Sequence, residues 1–450
     1  MKLLIKFLCI CAMGGFSLSK ADAQSLLKAY TEEGIANNLN LQQLSADYQK
    51  ALWALTEAKR NYGPSVDATG QYKRVFREGL TVPSNLQSML NDINLNNIQD
   101  GKIYFPAQQQ FTAGLEVNQT LYNAQLKYNK ALQQKNTEIG QAKVEDFKIA
   151  LEAEIRTAYF QYLQSVQVRK ARETGLVLAE KNLGAVEKLI QAQKATKDVL
   201  YKSRANVSDM QQTVTNAGKD QQQAALYFNF LRNVPLETII KTDSAYLFVG
   251  GTFHLKPMDT TLINPYNLAY LEKTSEAAGL QMKLVNAQKQ PAIQLKGFGG
   301  FRGQEINLDN SHLPIAQIQA SLKWNLFDNG VRKAKYKQAA LAKDQTEYQY
   351  QLQASQLKMA DATAYTDMKA QLSNYKAVQD AYTNANVYYD AVHQKFLLGA
   401  ASILDLSDAQ TGLVQAATLR EVWYYDLLKK EEAYKKATGK TIEIQQEKSK

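Results

Sequence analysis

The chain has 450 residues with 53 Lys and Arg against 43 Asp and Glu, a formal charge of +10, and two cysteines. Both, Cys9 and Cys11, lie in an apolar run from Leu3 to Phe16 that has a basic start at Lys2 and Lys6 and precedes Ala21-Asp22-Ala23, the pattern of a signal peptide over residues 1–23. Its removal takes three Lys and one Asp, leaving 50 basic residues against 42 acidic, a charge of +8 and no cysteine, which excludes disulfide and thiol chemistry. The basic excess is dispersed, not clustered among aromatics, and with export it excludes nucleic acid as a partner. No other apolar stretch reaches the length of a membrane helix, so any membrane crossing is by β-barrel.

The first predicted helix covers about 37–62, starting at Asn37-Asn38, and Pro64 opens a strand over about 64–76. There Val66, Ala68, Gly70 and Tyr72 share one face and Ser65, Asp67, Thr69, Gln71 and Lys73 the other. After a polar loop at 77–108, a second strand (about 107–121) sets Phe111, Ala113, Leu115 and Val117 against Gln110, Thr112, Glu116 and Asn118. Residues from about 123 to 193 contain no Pro and are rich in Ala, Gln, Leu, Lys and Glu. They predict one helix of about 70 residues, on the order of 105 Å long. A returning helix of half that length follows over about 198–232.

Residues 233–260, with Pro235, Gly250, Gly251 and Pro257, are the predicted linker. The second half then repeats the first. A helix over about 264–290 begins at Asn264-Pro265, and a strand over 291–302 opposes Ile293, Leu295, Gly297, Gly299 and Phe301 to Gln294 and Lys296. A loop at 302–314 leads to a strand over 315–327, a long helix over about 330–398 and a return helix over 402–437; residues 438–450 form a C-terminal segment and polar tail. The echoes are specific: Leu121-Tyr122-Asn123 returns as Leu326-Phe327-Asp328, Lys127 and Lys130 as Arg332 and Lys335, and Asp198-Val199-Leu200 near Ser402-Ile403-Leu404-Asp405. A period near 205 residues is a duplicated module, not a solenoid.

An apolar outer face over a polar inner one is the pattern of outer-membrane strands, with aromatics such as Tyr72, Phe301, Trp324 and Phe327 near strand ends. Half-buried strands of a soluble sheet alternate in the same way. Four strands cannot close a barrel, and an open edge in hydrocarbon leaves backbone groups unpaired. The barrel is therefore shared: two copies give eight strands, three give twelve with a water-filled lumen. The fold class that follows is mainly α with a membrane β-barrel, four strands per chain, continued by a long helical coiled coil.

Three motifs give a resemblance to a known family. They are the Asn264-Pro265 helix start, the strand end Leu326-Phe327-Asp328-Asn329-Gly330, and the turn from Gly399 through Ala400, Ala401, Ser402, Ile403, Leu404 and Asp405 to Gln410. The chain resembles the outer-membrane efflux protein (TolC) family over essentially its whole mature length. The resemblance implies a homotrimer with a 12-stranded barrel, an α-helical periplasmic barrel, and an equatorial region formed by the linker and C-terminal segment. It also implies docking to a periplasmic adaptor and to an inner-membrane pump of the resistance-nodulation-division or ABC type, with outer-membrane lipid around the barrel and no cofactor.

The resemblance further implies that Asp405 and Asp408 form carboxylate rings at the pore constriction. Their i, i+3 spacing places them on one helix face, and rings of acids concentrate cations. Asp405 is equally a first-turn acid favoured by the helix dipole and Asp408 a solvated position. Asp198 matches the acidic member of the family's gate links, but Ala401 and Phe396 stand where relatives place Arg and Tyr. The candidate gate is thus Asp198, Phe396 and Ala401, with Lys194 or Lys197 as alternative ties, and the candidate docking tip is Ala195, Gly399, Ala400 and Ser402. No metal or catalytic site is expected, since His254, His312 and His393 are isolated from one another. The contrasting expectation is an exported periplasmic coiled-coil scaffold that never spans a membrane.

Overall fold

The computed structural model describes residues 23–75, 80–81, 83, 86, 98–99, 102–103, 108–242, 246, 266–303 and 313–438. The predicted signal peptide up to residue 22, Asn264-Pro265, His254, His312, most of the linker and the tail lie outside these residues. The described residues fall into two compact units that cut across the sequence repeats. One holds residues 48–139 and 271–349, the other those up to 47, 140–270 and from 350 onward.

The first unit is built on a sheet. Its strands are β1 (Ser65–Val75), β5 (Gln108–Asn123), β6 (Ala292–Gly303) and β7 (Leu313–Lys323), in the order β1-β5-β6-β7 and all antiparallel. Three two-residue strands, β2 (Leu80–Thr81), β3 (Ile98–Gln99) and β4 (Lys102–Ile103), form a separate small sheet inside the predicted 77–108 loop. Register aligns the apolar positions across the large sheet: Val66 opposite Val117, Val117 opposite Gly297, Gly297 opposite Ile318. Val66, Leu115, Ile318 and Leu322 are exposed in a single protomer. On the other face Lys296 Nζ pairs with Glu116 Oε1 at 3.0 Å. At the Gly114–Gly300 pair a Cβ on Gly300 would stand 2.2 Å from the Ala113 carbonyl, and the Phe298 ring covers Gly114 from the polar face.

Two strand ends depart from the sequence reading. β5 continues to Asn123 through a register shift between Thr120 and Tyr122, a bulge that leaves Leu121 as the extra residue. β7 stops at Lys323 instead of 327, because the Arg332 guanidinium takes the Asn325 and Leu326 carbonyls at 2.8 and 3.4 Å and the Trp324 indole N–H donates to the Lys289 carbonyl at 2.9 Å. Groups so committed cannot serve a ladder.

The helices are α1 (Ala23–Asn37), α2 (Leu39–Arg60), α3 (Ala124–Gln191), α4 (Lys197–Arg232), α5 (Tyr266–Ala287), α6 (Val331–Leu397) and α7 (Ile403–Thr438). Asn38 breaks α1 from α2 and caps the second, its Oδ1 accepting from the Leu41 N–H at 3.0 Å. In the sheet unit, Lys135 and Glu138 of α3 bridge to Glu276 and Lys273 of α5 at 2.7 and 3.1 Å.

The second unit is helical. Tyr30 of α1 packs edge-on against Phe228 of α4, and the Arg232 guanidinium lies 4.2 Å from the Tyr30 ring centre while pairing with Glu33. Tyr159 of α3 completes this knot. Farther along, a cluster of Val186, Tyr389, Val392, Phe396, Leu406, Ala409 and Leu413 joins α3, α6 and α7. These apolar positions carry the packing that makes such long helices stable.

Candidate gate and docking tip

The two helical turns of the second unit have one construction. Gln193 (φ 57°) and Gly399 (φ 74°) are left-handed residues 206 positions apart. The N–H after each donates back to the last helical turn, Lys194 to the Leu189 carbonyl at 2.7 Å and Ala400 to the Lys395 carbonyl at 2.8 Å, with Gln193 to Ile190 and Gly399 to Phe396 as the inner bonds. This is the Schellman closure, in which glycine takes the left-handed position at no steric cost and Gln193 at some cost. The helices that follow, α4 and α7, each have 36 residues.

That equivalence corrects the sequence echo. At an offset of 206, Asp198 corresponds to Leu404, while Asp405 and Asp408 correspond to Val199 and Lys202. The first repeat carries no acid at either of these positions, and its residue at the Asp408 position is cationic.

Ser402 and Asp405 close a capping box at the start of α7. The Ser402 N–H and hydroxyl donate to Asp405 Oδ2 at 2.9 and 2.7 Å, and the Asp405 N–H donates back to Ser402 Oγ at 3.1 Å. The Ser402 hydroxyl, then its N–H, hold the Asp405 carboxyl below the usual carboxylate range. Asp405 and Asp408 both remain exposed. Asp198, at the second position of α4, is likewise held low, chiefly by the Thr196 hydroxyl and then by backbone N–H groups.

The other predicted gate residues lie elsewhere. Phe396 is 6% exposed inside the cluster shared by α3, α6 and α7, and Ala401 packs against the same cluster. Lys194 and Lys197 are exposed and make no ion pair among the described residues. Gly399, Ala400 and Ser402 are exposed, while Ala195 is half-buried.

Sequence reading missed a buried polar junction above this cluster. Gln410 is fully buried, and its Oε1 accepts from Asn182 Nδ2 at 2.7 Å and Asn206 Nδ2 at 3.2 Å; its Nε2 donates to the Gly175 carbonyl at 3.3 Å. The Tyr389 hydroxyl donates to Asn182 Oδ1 at 3.3 Å, so α3, α4, α6 and α7 meet in one network. The signal in the sequence was the echo of Ala205-Asn206 in Ala409-Gln410, amide residues that interrupt apolar helical spacing. Among the described residues no three His, Asp or Glu side chains of one protomer gather to hold a metal, and no helix is long and apolar enough to cross a membrane.

Residues 258–440 match the family described as Outer membrane efflux protein. The Outer membrane protein TolC of Salmonella enteritidis is 22% identical over 439 residues, covering 92% of this chain and 82% of that protein. The second half of the chain thus matches the outer membrane efflux protein family, and the likeness to TolC extends over the first half as well. The Campylobacter jejuni CmeC outer membrane channel has the same fold, with a TM-score of 0.76 at 14% identity over 96% of this chain and 93% of that one. The open-state Neisseria gonorrhoeae MtrE outer membrane channel aligns with a TM-score of 0.74 at 16% identity, over 92% of this chain and 88% of that one. The fold is that of these outer-membrane channels, with one four-stranded sheet in the chain.

Proposed function

We propose that this protein is the exit duct of an efflux or type I secretion system, a homotrimer in the outer membrane whose three four-stranded sheets close a 12-stranded barrel. The sheet carries the reading. It has one apolar face, one face with Glu116 and Lys296, and its outer strands β1 and β7 each lack a second partner among the described residues of the protomer. Such edges are stable in hydrocarbon only when another copy pairs with them. The duct hands on what an inner-membrane pump of the resistance-nodulation-division or ABC type delivers, through a periplasmic adaptor seated on the tip at Ala195, Gly399, Ala400 and Ser402.

In this reading Asp405 and Asp408 contribute two rings of three carboxylates to the constriction, supported by their shared face on α7 and their exposure in the protomer. The first repeat, with Val199 and Lys202 in those places, contributes none. Asp405→Ala combined with Asp408→Ala is expected to weaken block of single-channel current by multivalent cations in planar bilayers. Unchanged block would remove the rings from the mechanism. A soluble protein in periplasmic extract, with no current at all, would favour a scaffold over a duct.

A further inference from the structure

Where β5 passes into α3 the sheet unit holds an open groove of about 410 Å³, lined by Tyr62, Leu121, Tyr122, Leu126, Lys127 and Tyr128, with Gln290 at its edge. That volume lies within the range of about 300–1,000 Å³ that small ligands fill. Its walls are mainly apolar and aromatic, with Thr120 and Asn123 among them, and its charged lining residue is the cation Lys127. Lys127 and Lys130 are exposed, sit 6.0 Å from the Tyr128 and Tyr62 ring centres, and make no ion pair among the described residues.

The duplication supplies an internal comparison. At the equivalent junction of the second repeat, Arg332 is consumed: its Nε is 2.6 Å from Asp328 Oδ2, and the same oxygen caps the Arg332 N–H at 2.9 Å. In the first repeat Asn123 stands in place of Asp328, and its Oδ1 accepts from the Gln125 N–H at 2.9 Å. The second copy neutralises one of its two cations internally, Lys335 remaining exposed. The other keeps two cations open beside a groove at the end of an apolar strand face.

Leu121 and Tyr122 stand exposed beyond Gln119 at the end of the strand that carries the exposed Leu115 and Val117, and Trp324, Leu326 and Phe327 stand exposed after β7. Amphipathic rings at this level mark the boundary between hydrocarbon and water. Basic residues there attract lipid phosphates.

We propose that this groove binds the phosphate-bearing headgroup of a glycerophospholipid from the membrane leaflet on the helix side. Lys127 and Lys130 neutralise the phosphate, and the acyl chains run along Leu121, Val117 and Leu115. The inference rests on the outer-membrane reading of the sheet.

The test uses the delipidated full-length mature channel, titrated with dioleoylphosphatidylglycerol and read by native mass spectrometry. Lys127→Glu with Lys130→Glu is expected to lower retained lipid by about tenfold or more. Lys127→Arg should retain it, and Lys194→Glu with Lys197→Glu, an equal charge change at the tip, should leave it unaltered. Dioleoylglycerol, with the same chains and no phosphate, should bind as poorly to wild type as the phospholipid does to the double Glu variant. Equal retention by that variant, equal retention of dioleoylglycerol, or displacement of the lipid by excess inorganic phosphate overturns the site. Single-channel current separates the two readings: a conducting double Glu variant that keeps its lipid fails the headgroup site alone, whereas a wild type that never conducts fails the duct.

Discussion

Asp405 has one carboxylate and two tasks. Oδ2 accepts both bonds from Ser402, so only Oδ1 is left to face a pore. The same bonds that cap α7 hold the carboxyl low, which keeps the proposed ring ionised to lower pH. The sign follows from linkage: a group whose folded pKa is depressed contributes stability above its unfolded value and loses it as pH falls through the folded one. Ser402→Ala removes the hydroxyl that contributes most to this shift. Asp405 then titrates closer to the ordinary carboxylate range, and multivalent-cation block in bilayers is expected to disappear at a higher pH than in wild type. An unmoved pH midpoint would separate the cap from the ring. The Ser-x-x-Asp pattern was legible in the sequence as a first-turn acid, but the reciprocal bonding depends on where Gly399 ends α6. Phe396 was legible in a different way. Its family position implied a gate, and its spacing of four and seven residues from Val392 and Tyr389 describes a packed helix face, where it lies.

The long helices were the most legible elements, because an absence of Pro over some 70 residues leaves little alternative to helix. What the sequence hid is how closely they approach. Gly175 of α3 faces Val414 of α7, and a Cβ added there would stand 2.5 Å from Val414 Cγ2 and 3.0 Å from Cγ1. In an isolated helix Gly→Ala gains about 0.5–1 kcal/mol. Here the branched Val414 has little rotamer freedom to give way, and overpacking costs about 1–3 kcal/mol. Gly175→Ala is therefore expected to lower the melting temperature despite its better propensity. Adding Val414→Ala should recover part of the loss, a positive coupling that a thermal-melt double-mutant cycle measures; simple additivity would refute the contact. Helix α1 escaped sequence reading because Asn37-Asn38 looked like a beginning. Asn38 does begin α2, but Leu27, Tyr30 and Thr31 are buried before it, and α1 is fastened by Arg232, nearly 200 residues away. No local pattern announces a partner at that distance.

At the scale of the assembly, strand count and direction constrain how copies can join. In the order β1-β5-β6-β7 every neighbour is antiparallel, so the first and last strands of a protomer run in opposite directions. A second copy can therefore place its β7 against this copy's β1 and continue the antiparallel ladder without interruption, and only a closed ring of copies leaves no edge. The two native cysteines precede Ala23, so cysteines introduced into the mature chain report on pairing without background. With Thr69 of β1 changed to Cys, and Gln317, Gln319 or Ser321 of β7 changed to Cys in turn, at least one pair falls opposite across the joint and forms an intermolecular disulfide. Each protomer then bonds to two neighbours, so non-reducing gels are expected to show a ladder that ends at three subunits and collapses to one on reduction. A ladder ending at two would mean an eight-stranded barrel whose interior is filled by side chains, too narrow for a duct. A ladder without an end would mean an open filament. Termination at three, and not sequence likeness, is what would make the barrel wide enough for cargo.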